Sequence, residues 1–164
     1  MQLTFIGTRG EIDARTRRHR MHTSLLVSYR SADVMIDCGF DWLGRLNRVD
    51  PSAIVLTHAH PDHAWELKRG APCPVYAPER TWQELLHYPI NERRLIKERT
   101  ATKICGITFE AFPVEHSILS PAGIIRIGFS GGWLASVSAR MFLGRTTGLL
   151  WRAVFLSTPG RGIR

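Results

Sequence analysis

The sequence predicts an α/β fold, and three observations carry that reading. The first 37 residues are β-rich. Strand-like and helix-like segments alternate after them. One segment, residues 53–57, is a continuous apolar strand. Such a strand is buried on both faces, which requires a layer on each side of its sheet. The 164 residues are 44% hydrophobic and 22% charged, which fits one globular domain with a core of its own.

The elements follow in order. Residues 2–6 alternate and end at Gly7, as a strand does. Residues 8–20 are polar, carry Arg9, Arg15, Arg17, Arg18 and Arg20, and read as a solvated loop. Residues 23–29 and 33–37 are β-rich runs split by Arg30-Ser31-Ala32, which predicts a hairpin. Residues 40–49 put Trp42, Leu43 and Leu46 on one side of a short amphipathic helix. Asp50-Pro51-Ser52 is a turn. Beyond strand 53–57, residues 64–69 suit a helix, and Val75-Tyr76 suits a short strand. Residues 79–87 and 91–98 read as helical. Lys103-Ile104 and residues 107–114 are strands around Gly106, and residues 124–127 form another.

The formal net charge is +8, and its position matters more than its size. All 14 acidic residues lie between Glu11 and Glu115, so residues 1–115 carry a net +2. Residues 116–164 carry a net +6 with no acid, and no histidine follows His116. Bulk basicity is therefore poor support for a nucleic-acid partner, although the arginines before His22 give local support for an anionic one. Cys38, Cys73 and Cys105 are odd in number and form no CxxC pair, which points to a reduced, cytoplasmic setting. The start lacks the basic n-region of a signal peptide. The longest apolar candidate, residues 127–139, is too short for a spanning helix, so no membrane partner is expected.

The strongest chemical signal is His58-x-His60-x-Asp62-His63. Two histidines at i and i+2 on extended backbone point to the same side. Pro61 then breaks regular structure, so Asp62 and His63 can turn back toward the same space. Imidazole and carboxylate suit zinc, manganese or iron. His116, just after strand 107–114, is a fifth candidate ligand. His19, His22 and His87 lack such support and read as structural.

The run Thr57-His58-Ala59-His60-Pro61-Asp62-His63, preceded by Ile36-Asp37-Cys38-Gly39, resembles the metallo-β-lactamase fold superfamily. The opening Phe5-Ile6-Gly7-Thr8-Arg9-Gly10 resembles its phosphodiesterase branch. That branch includes tRNA 3′-processing endonucleases and phosphoribosyl cyclic phosphodiesterases. The resemblance implies a four-layer αβ/βα sandwich of which only the N-terminal half is complete. It places one metal on His58, His60 and His116 and another on Asp62 and His63. The metal is one or two Zn2+, with Mn2+ or Fe2+ as alternatives. Asp37 supports the metal loop, and Asp62 also acts catalytically. Arg9, Arg15, Arg17 or Arg18 could hold a phosphate. The implied reaction is hydrolysis of a small-molecule or nucleic-acid phosphodiester by metal-activated water.

The family pattern also has a bridging Asp and a further His beyond the third His, and neither follows His116 here. The family-like domain is expected at residues 1–126, with 127–164 an atypical acid-free tail. The tail has the composition of out-of-frame GC-rich coding. Shifted by one base, Arg140-Met141-Phe142 reads Asp-Val when the free base is G. Half a sandwich is expected to leave one sheet face without its partner, exposing apolar surface. Two alternatives to an active hydrolase stand: an inactive metal-binding fragment, and a basic nucleic-acid-binding module using residues 9–20 and the tail. Little or no turnover is expected of the chain as written.

Overall fold

The computed structural model describes residues 1–10, 15–17, 19–114, 122–129, 132–140 and 150–155. Two sheets stack face to face. The first has six strands in chain order: β1 (Gln2–Gly7), β2 (Ser24–Tyr29), β3 (Ala32–Ile36), β4 (Ala53–Val55), β5 (Val75–Ala77) and β6 (Arg93–Leu95). β1, β2 and β3 pair antiparallel, and β3 through β6 pair parallel. The second sheet is an antiparallel set of β7 (Thr102–Ile104), β8 (Ile107–Val114), β9 (Ala122–Phe129), β10 (Gly132–Arg140) and β11 (Leu150–Phe155), in the order β11-β10-β9-β8-β7.

Side-chain alternation divides the core. Val34, Ile36, Ala53 and Val55 face the second sheet and pack with Ile107, Phe109, Ala111, Ile125 and Ile127. Their neighbours Met35, Ile54 and Leu56 face the other way, against Trp42, Leu46, Ala64, Leu67 and Leu85. The register pairs Val34 with Ala53 and Ile36 with Val55, so both faces stay in phase across the parallel pair. This is why residues 53–57 carry no polar alternation. The outer layer comes from α1 (Leu46–Val49), α2 (Pro61–Ala64), α3 (Glu79–Glu84) and 3-10 turns at Phe40–Trp42 and Trp65–Arg69.

Three expectations change. Residues 40–49 are not one helix. Gly44 sits at φ +70° and donates its N–H to both Glu66 carboxylate oxygens at 2.8 and 3.0 Å, so the helix breaks there while Trp42 and Leu46 stay buried. Pro61 does not break regular structure. It occupies the first turn of α2, where its missing N–H costs nothing. Residues 91–98 are not helical. Val75 N–H donates to Glu92 and Ile96 N–H to Ala77, docking β6 on the edge of β5. The β6 residues are exposed on that edge, and Ile96 just beyond them is buried in the core. The inner face of the first sheet is filled by the second. β7 to β9 cover it, and two strands of the tail, β10 and β11, extend that second sheet.

Among the described residues no helix is long and apolar enough to cross a membrane. Cys38, Cys73 and Cys105 are free thiols.

Candidate metal centre

The site forms where the parallel strands β3 and β4 end. Ligands of open α/β sheets gather beyond the carboxyl ends of such strands. Asp37 follows β3 directly. Its backbone N–H reaches Val55 at 3.0 Å, and its φ of +60° turns the chain out of the sheet. Thr57 and His58 leave β4 beside it.

Asp37 is fully buried and organises what surrounds it. Its Oδ1 accepts the Thr57 N–H at 2.8 Å. Its Oδ2 accepts the Thr57 hydroxyl at 2.7 Å and His63 Nδ1–H at 2.7 Å. The single Thr57 hydroxyl proton is thereby committed to Asp37. The 3.0 Å contact between Thr57 Oγ1 and His58 Nδ1 is then a bond donated by the imidazole. One carboxylate thus sets the tautomers of two histidines, and each presents Nε2 as its lone-pair nitrogen.

Those nitrogens converge with Asp62. Ligand atoms of His58, Asp62 and His63 all lie within 4.8 Å of one another, and all three residues are buried. Asp62 Oδ2 is 3.1 Å from His63 Nε2. Apart from that His63 nitrogen, neither Asp62 oxygen has a side-chain donor within reach among the described residues. Buried lone pairs aimed at one another repel unless a proton or a cation lies between them. Without a cation, the proton fills that role. Burial pulls the His63 imidazole down, but the charge and hydrogen bond of Asp37, with those of Asp62, raise it to about 10. Burial pushes the Asp62 carboxyl up, yet the hydrogen bond and charge of His63 hold it below its usual range. The donor set, two imidazole nitrogens and a carboxylate, fits a divalent transition metal.

His60 is half-buried at the N-cap of α2, its ring centroid 4.6 Å from that of His58, so the i, i+2 pair does share a side. It is not in the tight group, which joins His58 to Asp62 and His63 instead. α2 turns because the His63 and Ala64 N–H groups both bond the His60 carbonyl at 2.9 Å. The segment after Asp37 holds this turn: Cys38 N–H bonds the His63 carbonyl at 2.6 Å. A Cβ on Gly39 would sit 1.9 Å from the Asp62 carbonyl oxygen, so only glycine permits the approach. His116 and Arg18 lie outside the described residues.

The arginines divide by burial. Arg9 is buried, with its guanidinium 2.5 Å from Asp41 Oδ2. Arg15 bonds Asp41 Oδ1 at 2.6 Å, with its side chain 62% exposed. Arg17 is exposed. Asp41 also accepts the His22 backbone N–H at 2.9 Å, and Trp42 Nε1–H donates to the His22 carbonyl at 2.9 Å. Sequence reasoning passed over Asp41 and the part Thr57 plays. The partners of Asp41 are 19 to 32 residues away along the chain, so no local spacing marks it.

Two stacked sheets with helices outside, and a His/Asp cluster at the strand ends, define a metallo-β-lactamase fold. The model of the beta-lactamase superfamily domain matches residues 33–133. The chain belongs to that superfamily. It is 29% identical over 154 residues to a ribonuclease Z of Methanococcus maripaludis, covering 77% of this chain and 49% of that protein. A diphosphatase of the PhnP family superposes with a TM-score of 0.60 at 26% identity, covering 77% of this chain and 62% of that one. Zn2+-bound PqqB from Methylobacterium extorquens shares the fold, with a TM-score of 0.63 at 14% identity over 87% of this chain and 67% of that one. The chain spans about half the length of the ribonuclease Z relatives it matches.

Proposed function

We propose that this chain is the metal-binding portion of a phosphodiester hydrolase. The observation that carries the reading is the convergence of buried His58, Asp62 and His63 on one point, with Asp37 setting the tautomers. His58, His60, Asp62 and His63 would hold the metal, with His116 as a further ligand. A bound Zn2+, Mn2+ or Fe2+ would supply Lewis acidity toward water and the phosphoryl oxygens. Asp37 keeps the histidine lone pairs aimed inward, and Asp62 offers a carboxylate oxygen that can orient the attacking water. Arg15 and Arg17 present guanidinium groups suited to a non-bridging phosphate oxygen, and Arg9 braces the loop that carries them. The resemblance to ribonuclease Z and to a PhnP-family diphosphatase favours a phosphodiester substrate, either small or nucleic acid.

A second reading has its own support. The chain spans about half of those ribonuclease Z relatives, which favours a fragment that binds metal and turns over weakly or not at all. Metal content by mass spectrometry and hydrolysis of bis(p-nitrophenyl) phosphate, measured on one purified sample, separate the readings. Metal with turnover supports the hydrolase, metal without turnover the fragment. Absence of metal overturns both.

A further inference from the structure

We propose that Phe40 is a stacking platform for the base of a nucleotide phosphodiester whose phosphate occupies the His58–Asp62–His63 edge; this rests on the phosphodiester reading above. Phe40 immediately follows Gly39, whose backbone lies against that of Asp62, so the ring stands one residue from the cluster. It is 47% exposed, while Trp42 in the same 3-10 turn is buried. An isolated exposed apolar residue is ordinary on a protein surface. Phe40 is not isolated. Its ring meets the His22 ring edge-on at 6.4 Å and the tilted Trp65 ring at 6.0 Å. Trp65 directly follows α2, which carries Asp62 and His63. Lys68 then places its Nζ 3.3 Å over the Trp65 ring.

Phe40 and Trp65 thus form an aromatic pair tied to the metal-ligand cluster through Gly39 and α2, with the exposed Lys68 ammonium over Trp65. A nucleotide is complementary to that arrangement, with an anion beside a flat π-face. Base stacking on an aromatic side chain tolerates any base, so the platform predicts a preference for nucleotides without preference among them.

Calorimetric titration of the zinc-loaded full chain with uridine 5′-monophosphate and with methyl phosphate tests this. The nucleotide should bind roughly tenfold more tightly. Phe40→Leu should remove that advantage and leave methyl phosphate unchanged, and Phe40→Trp should restore it. Equal affinities in the parent chain, or an advantage that survives Phe40→Leu, would overturn the stacking role while leaving phosphate binding intact. Failure of both anions to bind would overturn the phosphate reading itself and the platform with it.

Discussion

His63 donates its Nδ1–H to Asp37 Oδ2 at 2.7 Å, with both side chains fully buried. The bond joins the end of β3 to α2 and aims His63 Nε2 at Asp62. Replacing Asp37 with Ala strands the Thr57 donors and leaves His63 without its orienting acceptor. Breaking a buried pair of this kind costs about 3–5 kcal/mol. Loss of a partner behind a metal ligand lowers metal affinity about 10–100-fold. Denaturant midpoints together with zinc titration should show both losses, and parent-like zinc affinity in the variant would refute the orienting role.

Gly39→Ala is the backbone counterpart. The added methyl would lie 1.9 Å from the Asp62 carbonyl oxygen and 2.8 Å from its Cα, atoms held by the fold of α2. Overpacking costs about 1–3 kcal/mol where side chains can yield, and backbone yields less readily. The variant should melt lower and bind less zinc. An unchanged melting temperature would show that the 37–39 segment is free to move.

His60→Ala tests the ligand assignment directly. It removes an imidazole from the half-buried rim and creates no large cavity, so the fold should persist. Zinc stoichiometry and any hydrolysis should both be lost. Parent-like metal content would remove His60 from the ligand set and leave His58, Asp62 and His63.

Acid stability reports the second network. Burial lowers the His22 imidazole from its ordinary 6.5, opposed by Asp41 and aided by Arg9. Burial pushes the Asp41 carboxyl up, but its bond to Arg9 and the charges of His22 and Arg9 bring it below 3.8. Both groups bind fewer protons folded than unfolded, so both contribute stability that falls as pH falls. The His22 contribution begins to fade below pH 6.5, and that of Asp41 below pH 3.8. Urea midpoints from pH 7 to pH 3 should decline less steeply in His22→Asn over the upper window and in Asp41→Asn over the lower. Parallel slopes in parent and variants would refute the assignment.

The sequence by itself determined the α/β class, most strand positions and the run of His and Asp side chains from His58 to His63. Apolar alternation and metal-ligand spacing are local patterns, and both survive folding because each records which face of the backbone is buried. Tertiary structure decided the rest. Residues 91–98 have the composition of a helix, yet the open edge of β5 and a buried slot for Ile96 outweigh that local preference. Pro61 reads locally as a breaker, yet it opens α2, whose Asp62 backbone lies against Gly39. Asp37 could be placed by resemblance, but its hold on two histidine tautomers exists only because parallel pairing of β3 with β4 sets it beside Thr57. Asp41 gathers Arg9, Arg15 and His22 from across the chain, so no sequence window contains that cluster. What the chain wrote locally was the set of donors; their direction required the sheet.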